Sequence, residues 1–90
     1  MLNTLEELIK LIRERKKNPP ENSYTKKLLE NKDFSLAKVK EEIGELIEAV
    51  ETKTNTVHEA ADVLFHLMVY LEANNINIEN VIDELEKRKK

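Results

Sequence analysis

Apolar residues recur along this chain at helical intervals, and polar punctuation divides them into five segments. Leu5, Leu8, Ile9 and Ile12 take the three- and four-residue steps of a helix, and Thr4 with Glu7 forms a capping-box pair at its start. Bases from Arg13 to Lys17 suit the last turn of that helix, and Asn18-Pro19-Pro20 stops it. Ser23 caps a short second helix carrying Leu28 and Leu29 and ending near Asn31. Asp33 or Ser35 opens a third, running to about Thr52. Thr54, Asn55 or Thr56 opens a fourth, running to about Ala73. Asn74-Asn75 breaks the chain, and Asn77 caps a last helix with Ile78, Val81, Ile82 and Leu85 on one face. The tail from Lys87 to Lys90 reads as a frayed, solvated end.

Two long helices joined by a short turn imply an all-α fold: a five-helix chain around a central antiparallel hairpin. The fourth helix is apolar almost all round. Val57, Ala60, Ala61, Leu64, Leu67, Met68 and Leu71 fill one broad arc, widened by Val63 and Tyr70 on one side and Phe65 and Val69 on the other. Such a helix is buried on several faces, more than one small chain can cover, so a homodimer or higher homo-oligomer is expected.

Composition narrows the class. Ninety residues, numbered 1–90, make a single small domain with a thin core. The chain has one Gly and two Pro, 37% charged residues and 4% aromatics, which favours helices over sheet. With no cysteine, disulfides, thiolate metal sites and thiol nucleophiles are excluded. The start carries acids where a signal peptide needs an apolar run, and no stretch is long enough to span a membrane. A cytoplasmic protein without a membrane partner is expected. A net charge of −3 argues against nucleic acid as a partner.

The acids carry the chemistry. Glu41-Glu42-Ile43-Gly44-Glu45 lies on the third helix and Glu59-Ala60-Ala61-Asp62 on the fourth. On a helical projection with Leu36 at zero, Glu42 falls at about −120° and borders the apolar arc, and Glu45 sits one step outside it. On the fourth helix, Glu59, Asp62 and His66 form a narrow polar stripe with apolar residues on both sides. Carboxylates gathered between two helices repel, and hard divalent cations relieve that repulsion; oxygen ligands suit Mg²⁺ or Mn²⁺ rather than zinc. A carboxylate-held Mg²⁺ is in turn a natural place for phosphate-bond hydrolysis. Plainer readings stand beside this one. Glu-Glu-x-x-Glu also suits a solvated face, Glu59 can close a capping box with Thr56, and His66 suits a hydrogen-bonded core position. Asp62, mid-helix in an apolar run, has no such alternative.

The two-part pattern Glu41-Glu42-x-x-Glu45 and Glu59-x-x-Asp62 resembles the signature of the all-α, MazG-like nucleoside triphosphate pyrophosphohydrolases. Within them, nearly the whole chain is similar to the phosphoribosyl-ATP pyrophosphatases. Three stretches carry the likeness: Arg13-Glu14-Arg15-Lys16, Ser23-Tyr24-Thr25-Lys26-Lys27-Leu28-Leu29, and Glu59 through Leu67. The resemblance implies a MazG-like bundle completed by dimerisation. It implies a nucleotide substrate, phosphoribosyl-ATP, cleaved to phosphoribosyl-AMP and pyrophosphate in histidine biosynthesis. It implies Mg²⁺, with Mn²⁺ as the other option, bound by Glu42, Glu45, Glu59 and Asp62, and Glu41 as a further ligand or base. The proton acceptor is expected to be a carboxylate not used up as a ligand, Glu41 or Glu45. Lys27 and Lys38 are candidates for phosphate contact, and Ser23 and His66 for substrate contact. Two departures stand out: Lys40 occupies a position where relatives usually have Gly, and the link between the acidic helices is about two residues short. With no cysteine for a zinc-dependent cyclohydrolase partner, the stand-alone form is expected. The alternatives are a MazG-like enzyme acting on (d)NTPs and a helical oligomerisation module without catalysis.

Overall fold

The computed structural model describes residues 2–21 and 23–89. Five helices follow in order: α1 (Leu2–Lys17), α2 (Tyr24–Glu30), α3 (Lys32–Thr52), α4 (Thr56–Ala73) and α5 (Ile78–Arg88). The all-α expectation holds, and no strand occurs among the described residues. No helix is long and apolar enough to cross a membrane.

The most extensive helix pairing is between α3 and α4, the antiparallel hairpin. Its turn is only Lys53-Thr54-Asn55, and both Lys53 (φ 58°) and Asn55 (φ 52°) are left-handed. Asparagine tolerates that conformation, whereas a lysine there costs about 1 kcal/mol. Hydrogen bonding from the turn offsets the strain. The Ala49 carbonyl accepts the Lys53 N–H, the Thr54 N–H at 3.1 Å and the Thr56 hydroxyl at 3.4 Å. The short link thereby turns α4 back along α3.

The core lies where α1 and α2 close over the other half of α4. Ile9, Ile12, Leu28, Met68, Val69 and Ile78 are buried, with Leu8, Leu29, Phe34, Phe65 and Leu71 packed around them. Fully burying a side chain such as Ile12, Leu28 or Val69 contributes roughly 1.5–3 kcal/mol.

Several expectations need correction. Helix α1 starts at Leu2, so Thr4 lies inside it and does not cap it; nothing in Leu2-Asn3 resists helix. Asn31, not Asp33 or Ser35, caps α3: its side-chain oxygen accepts the Phe34 N–H at 3.0 Å, and the same residue ends α2. Asp33 then favours the positive end of the dipole from the first turn, and Ser35 turns inward with its hydroxyl unpartnered. Helix α5 persists through Lys87 and Arg88, where Arg88 pairs with Glu84 at 3.7 Å; Lys90 lies outside the described residues. The apolar arc of α4 is divided. Met68 is buried, but Val57 is 85% exposed, and Leu64, Leu67 and Ala61 are exposed too. On α3, Ile43, Ile47 and Val50 are similarly uncovered. One chain supplies cover for only half of the hairpin.

Candidate active site

Three carboxylates meet across the hairpin. Glu42 on α3 is buried, Glu45 stands one turn further along the same helix, and Glu59 comes from the first turn of α4. One oxygen from each lies within 4.8 Å of the other two. A second group has the same spacing: His58, Glu59 and Asp62. Glu59 belongs to both, so it stands between Glu42 and Glu45 on one side and His58 and Asp62 on the other. All four acids expected as ligands are therefore brought together, Asp62 by way of Glu59.

The capping-box alternative for Glu59 does not hold. Asn55, not Thr56, is the N-cap of α4, and the Thr56 hydroxyl is turned to the Ala49 carbonyl. Glu59 Oε2 is buried with no hydrogen-bond partner, and so is Glu42 Oε2. Leaving a buried polar atom unpaired costs about 1–3 kcal/mol, more for a charge. Two like charges 4 Å apart add roughly 4 kcal/mol of repulsion at an effective dielectric of 20. The acidities follow. Burial pushes the Glu42 carboxyl above its usual range, and the neighbouring Glu45 and Asp62 carboxylates act in the same direction, with His66 opposing. Burial also raises Glu59, with the charges of Glu45 and Asp62 next.

This donor set fits a hard divalent cation: hard oxygens, two of them unpartnered, and, among the described residues, no side-chain cation closer to Glu42 than Lys38 at 4.0 Å. The nearest lysine is Lys38, whose Nζ lies 4.0 Å from Glu42 Oε1 but 2.6 Å from Glu41 Oε2. Glu41 is thus paired with Lys38 and stands outside the three-carboxylate group. Beside the cluster, Glu45, Glu48, Ala49, Thr52, Thr54, Asn55 and Glu59 line an open hollow of about 250 Å³.

The other expected site residues have internal duties. His66 is 6% exposed, and both ring nitrogens are engaged. A carbonyl can only accept, so Nδ1–H donates to the Asp62 carbonyl at 2.8 Å. In the neutral ring Nε2 then accepts the Tyr24 hydroxyl at 2.8 Å. The ring also packs edge-on against Phe65 and Tyr24. His66 ties α2 to the helix that carries Asp62. The Tyr24 phenol is raised in pKa by burial, with the charges of Glu42, Glu41 and Asp62 acting in the same direction and that of Lys38 opposing. Ser23 caps α2, accepting the Lys26 N–H at 3.3 Å. Lys27 is exposed and lines a separate hollow with Glu30, Asn31 and Phe34.

His58 is the site-flanking residue that sequence reasoning passed over. Its signal was present: it precedes Asp62 by four residues, and its Nε2 lies 3.3 Å from Asp62 Oδ2. The Arg13–Lys16 stretch serves elsewhere. Arg13 bonds Glu72 at 2.9 Å and Glu79 at 2.7 Å, and Lys16 bonds the Glu72 carbonyl and Asn75, both at 2.7 Å. These contacts clamp α1 to the far end of α4 and to the start of α5.

Comparison with known proteins gives the family. Residues 5–89 match the family model described as phosphoribosyl-ATP pyrophosphohydrolase. A phosphoribosyl-ATP pyrophosphatase of Methanoculleus marisnigri is 43% identical, the alignment covering 98% of this chain and 96% of the relative. One from Rhizobium rhizogenes is 42% identical over 94% of this chain and 85% of its own. A bifunctional histidine biosynthesis protein of Pyrococcus furiosus is 40% identical over 99% of this chain, which spans 43% of that protein. No solved structure gives a significant match. With 43% identity over almost the full length of both chains, and a family model matching from Leu5 to Lys89, the chain belongs to the phosphoribosyl-ATP pyrophosphohydrolase family.

Proposed function

We propose that this chain hydrolyses the α–β phosphoanhydride of phosphoribosyl-ATP, releasing phosphoribosyl-AMP and pyrophosphate, in a Mg²⁺-dependent step of histidine biosynthesis in the cytoplasm. One observation carries the site assignment: Glu42, 6% exposed, holds an unpartnered oxygen among two further carboxylates. The names of the relatives supply the substrate.

Glu42, Glu59 and Asp62 are the residues that would hold the cation. Bound there, Mg²⁺ or Mn²⁺ supplies charge neutralisation for the triphosphate and lowers the pKa of water. Glu41 is occupied by Lys38, so Glu45 is the carboxylate we assign as acceptor of the attacking water's proton. The water oxygen attacks phosphorus in line, the α–β P–O bond breaks, and pyrophosphate leaves. Lys38, tethered at the rim by Glu41, contacts phosphate as a compact ammonium. The Tyr24–His66 bond keeps α2 seated beside Asp62, which holds the rim in place.

The reading includes a homodimer. Counted outward from the turn, Val50 and Val57 lie at nearly the same level of the hairpin, as do Ile43 and Leu64, and all four are exposed. A second copy of the hairpin would cover them. Sedimentation should give a dimer or larger at micromolar concentration; a well-folded 10.5 kDa species would contradict it.

A substrate panel tests the activity. Pyrophosphate release should be fastest by far from phosphoribosyl-ATP and should stop in chelator. Equal or faster release from common NTPs or dNTPs would replace this substrate with a broader nucleotide class.

A further inference from the structure

We propose that His58 is a ligand in this cluster. It gives the half of the cluster around Asp62 a nitrogen donor, so that this half prefers a first-row transition ion such as Mn²⁺ or Co²⁺, which accepts imidazole, over Mg²⁺. The inference rests on the cation reading given above and deepens it. His58 Nε2 and Asp62 Oδ2 are 3.3 Å apart, and one atom each from His58, Glu59 and Asp62 lies within 4.8 Å of the others. Two ligands about 2.1 Å from one ion, at right angles to each other, stand roughly 3 Å apart, so the His58–Asp62 separation is that of neighbouring ligands.

The third member, Glu59, brings a buried oxygen without a partner. On its other side Glu42, with a side chain only 8% exposed, brings a second. Each group thus includes a residue with an orphaned oxygen, and Glu59 is shared between them. The two halves differ in chemistry. Glu42, Glu45 and Glu59 offer oxygen alone, which suits Mg²⁺. His58, Glu59 and Asp62 offer imidazole nitrogen and two carboxylates, and an imidazole ligand raises affinity along the series from Mn²⁺ to Co²⁺ and beyond. As a surface pair alone, a 71%-exposed histidine and Asp62 one turn away would contribute little.

Mn²⁺ and Mg²⁺ binding to the purified, metal-stripped chain decides the matter without using activity. Free Mn²⁺ is read by its aquo-ion electron paramagnetic resonance signal, and Mg²⁺ by calorimetry. His58→Asn and His58→Gln, at an exposed position, leave the helix intact. Both should weaken Mn²⁺ binding by about tenfold or more, the scale on which metal-site residues act, while Mg²⁺ affinity stays within about twofold. In the Co²⁺-loaded wild type, the His58 ring protons should show paramagnetic shifts. Unchanged Mn²⁺ affinity in both variants, or equal losses for Mn²⁺ and Mg²⁺, would overturn the assignment and leave the oxygen-ligand site standing. Failure of the wild type to bind either ion would overturn the cation reading as well.

Discussion

Two buried glutamates on the central hairpin make opposite use of the same side chain. Glu72, near the end of α4, is 7% exposed; Arg13 meets its Oε1 at 2.9 Å, and Lys16 lies 3.9 Å from its Oε2. Glu42 on α3 is 6% exposed; Glu45, Glu59 and Asp62 are its acidic neighbours, its Oε2 has no partner, and the one base near it, Lys38, stays 4.0 Å from Oε1 and bonds Glu41 instead. At Glu72 the chain answers its own buried charge with bases, so the acid holds the fold together. At Glu42 the chain adds more acids instead, which the fold alone gives no reason to do. A buried carboxylate surrounded by its own kind is the observation on which the proposed cation site rests.

Activity should separate the two regions most strongly. Asp62→Asn and Glu45→Gln should each lower turnover by well over tenfold, more than about 1.4 kcal/mol of barrier, with helical circular dichroism unchanged. Glu72→Gln should leave turnover per folded molecule near that of the wild type. Steady-state pyrophosphate release measures both; more than a tenth of wild-type activity in Asp62→Asn would remove that residue from the site.

Stability should separate them in the reverse sense. Glu72→Gln leaves Arg13 and Lys16 without their buried partner. The Arg13 side chain is 37% exposed, so solvent screening limits the loss to about 1–2 kcal/mol. For a domain this size that lowers the melting midpoint by about 4–8 °C per kcal/mol. Glu42→Gln should raise the midpoint in chelator, because it removes a crowded charge. A lower midpoint for Glu42→Gln than for wild type in chelator would mean that the cluster is held by hydrogen bonds and not strained by repulsion.

The pH response should be smaller and also of opposite sign at the two ends. Glu42 and Glu59 are raised above their ordinary 4.5, so folding strengthens their hold on a proton. Their contribution is fully present below 4.5 and is lost as pH rises through the raised values. Glu79, bonded by Arg13, is lowered to about 2, so its contribution is present above 4.5 and is lost as pH falls toward 2. Metal-free protein should gain stability as pH falls from neutral toward 4.5, then lose stability below 4.5. Thermal melts of Glu42→Gln should show a smaller gain, and those of Glu79→Gln should show a weaker acid loss.

Much of this arrangement is legible in the sequence, for local reasons. Ser23 and Asn77 cap helices because each is a short polar side chain at the start of a segment with helical spacing, and both caps stand as expected. The projection placing Glu42 at the core's edge and Glu45 outside it holds, since α3 is one uninterrupted helix. Asn31 escaped notice because it ends α2 and starts α3 with no loop between to mark the boundary. The partners of Arg13 stand 59 and 66 residues away, and no helical period relates them. Periodicity also shows that α4 is apolar without saying what covers it, which is why Val57 and Leu64 join the arc in sequence yet lie open in the fold.

The central claim is that the orphaned carboxylates of the hairpin are a cation site in the free enzyme. Thermal melts of the wild type and of Glu42→Gln, in chelator, in Mg²⁺ and in NaCl of matched ionic strength, test it most directly. Monovalent salt screens surface charge but does not ligate, whereas an ion binding only the native state stabilises by about 2.7 kcal/mol at a hundredfold excess over Kd. Mg²⁺ should raise the wild-type midpoint clearly above the NaCl value, and this difference should collapse in Glu42→Gln. A wild-type midpoint in Mg²⁺ no higher than in matched NaCl would contradict the claim.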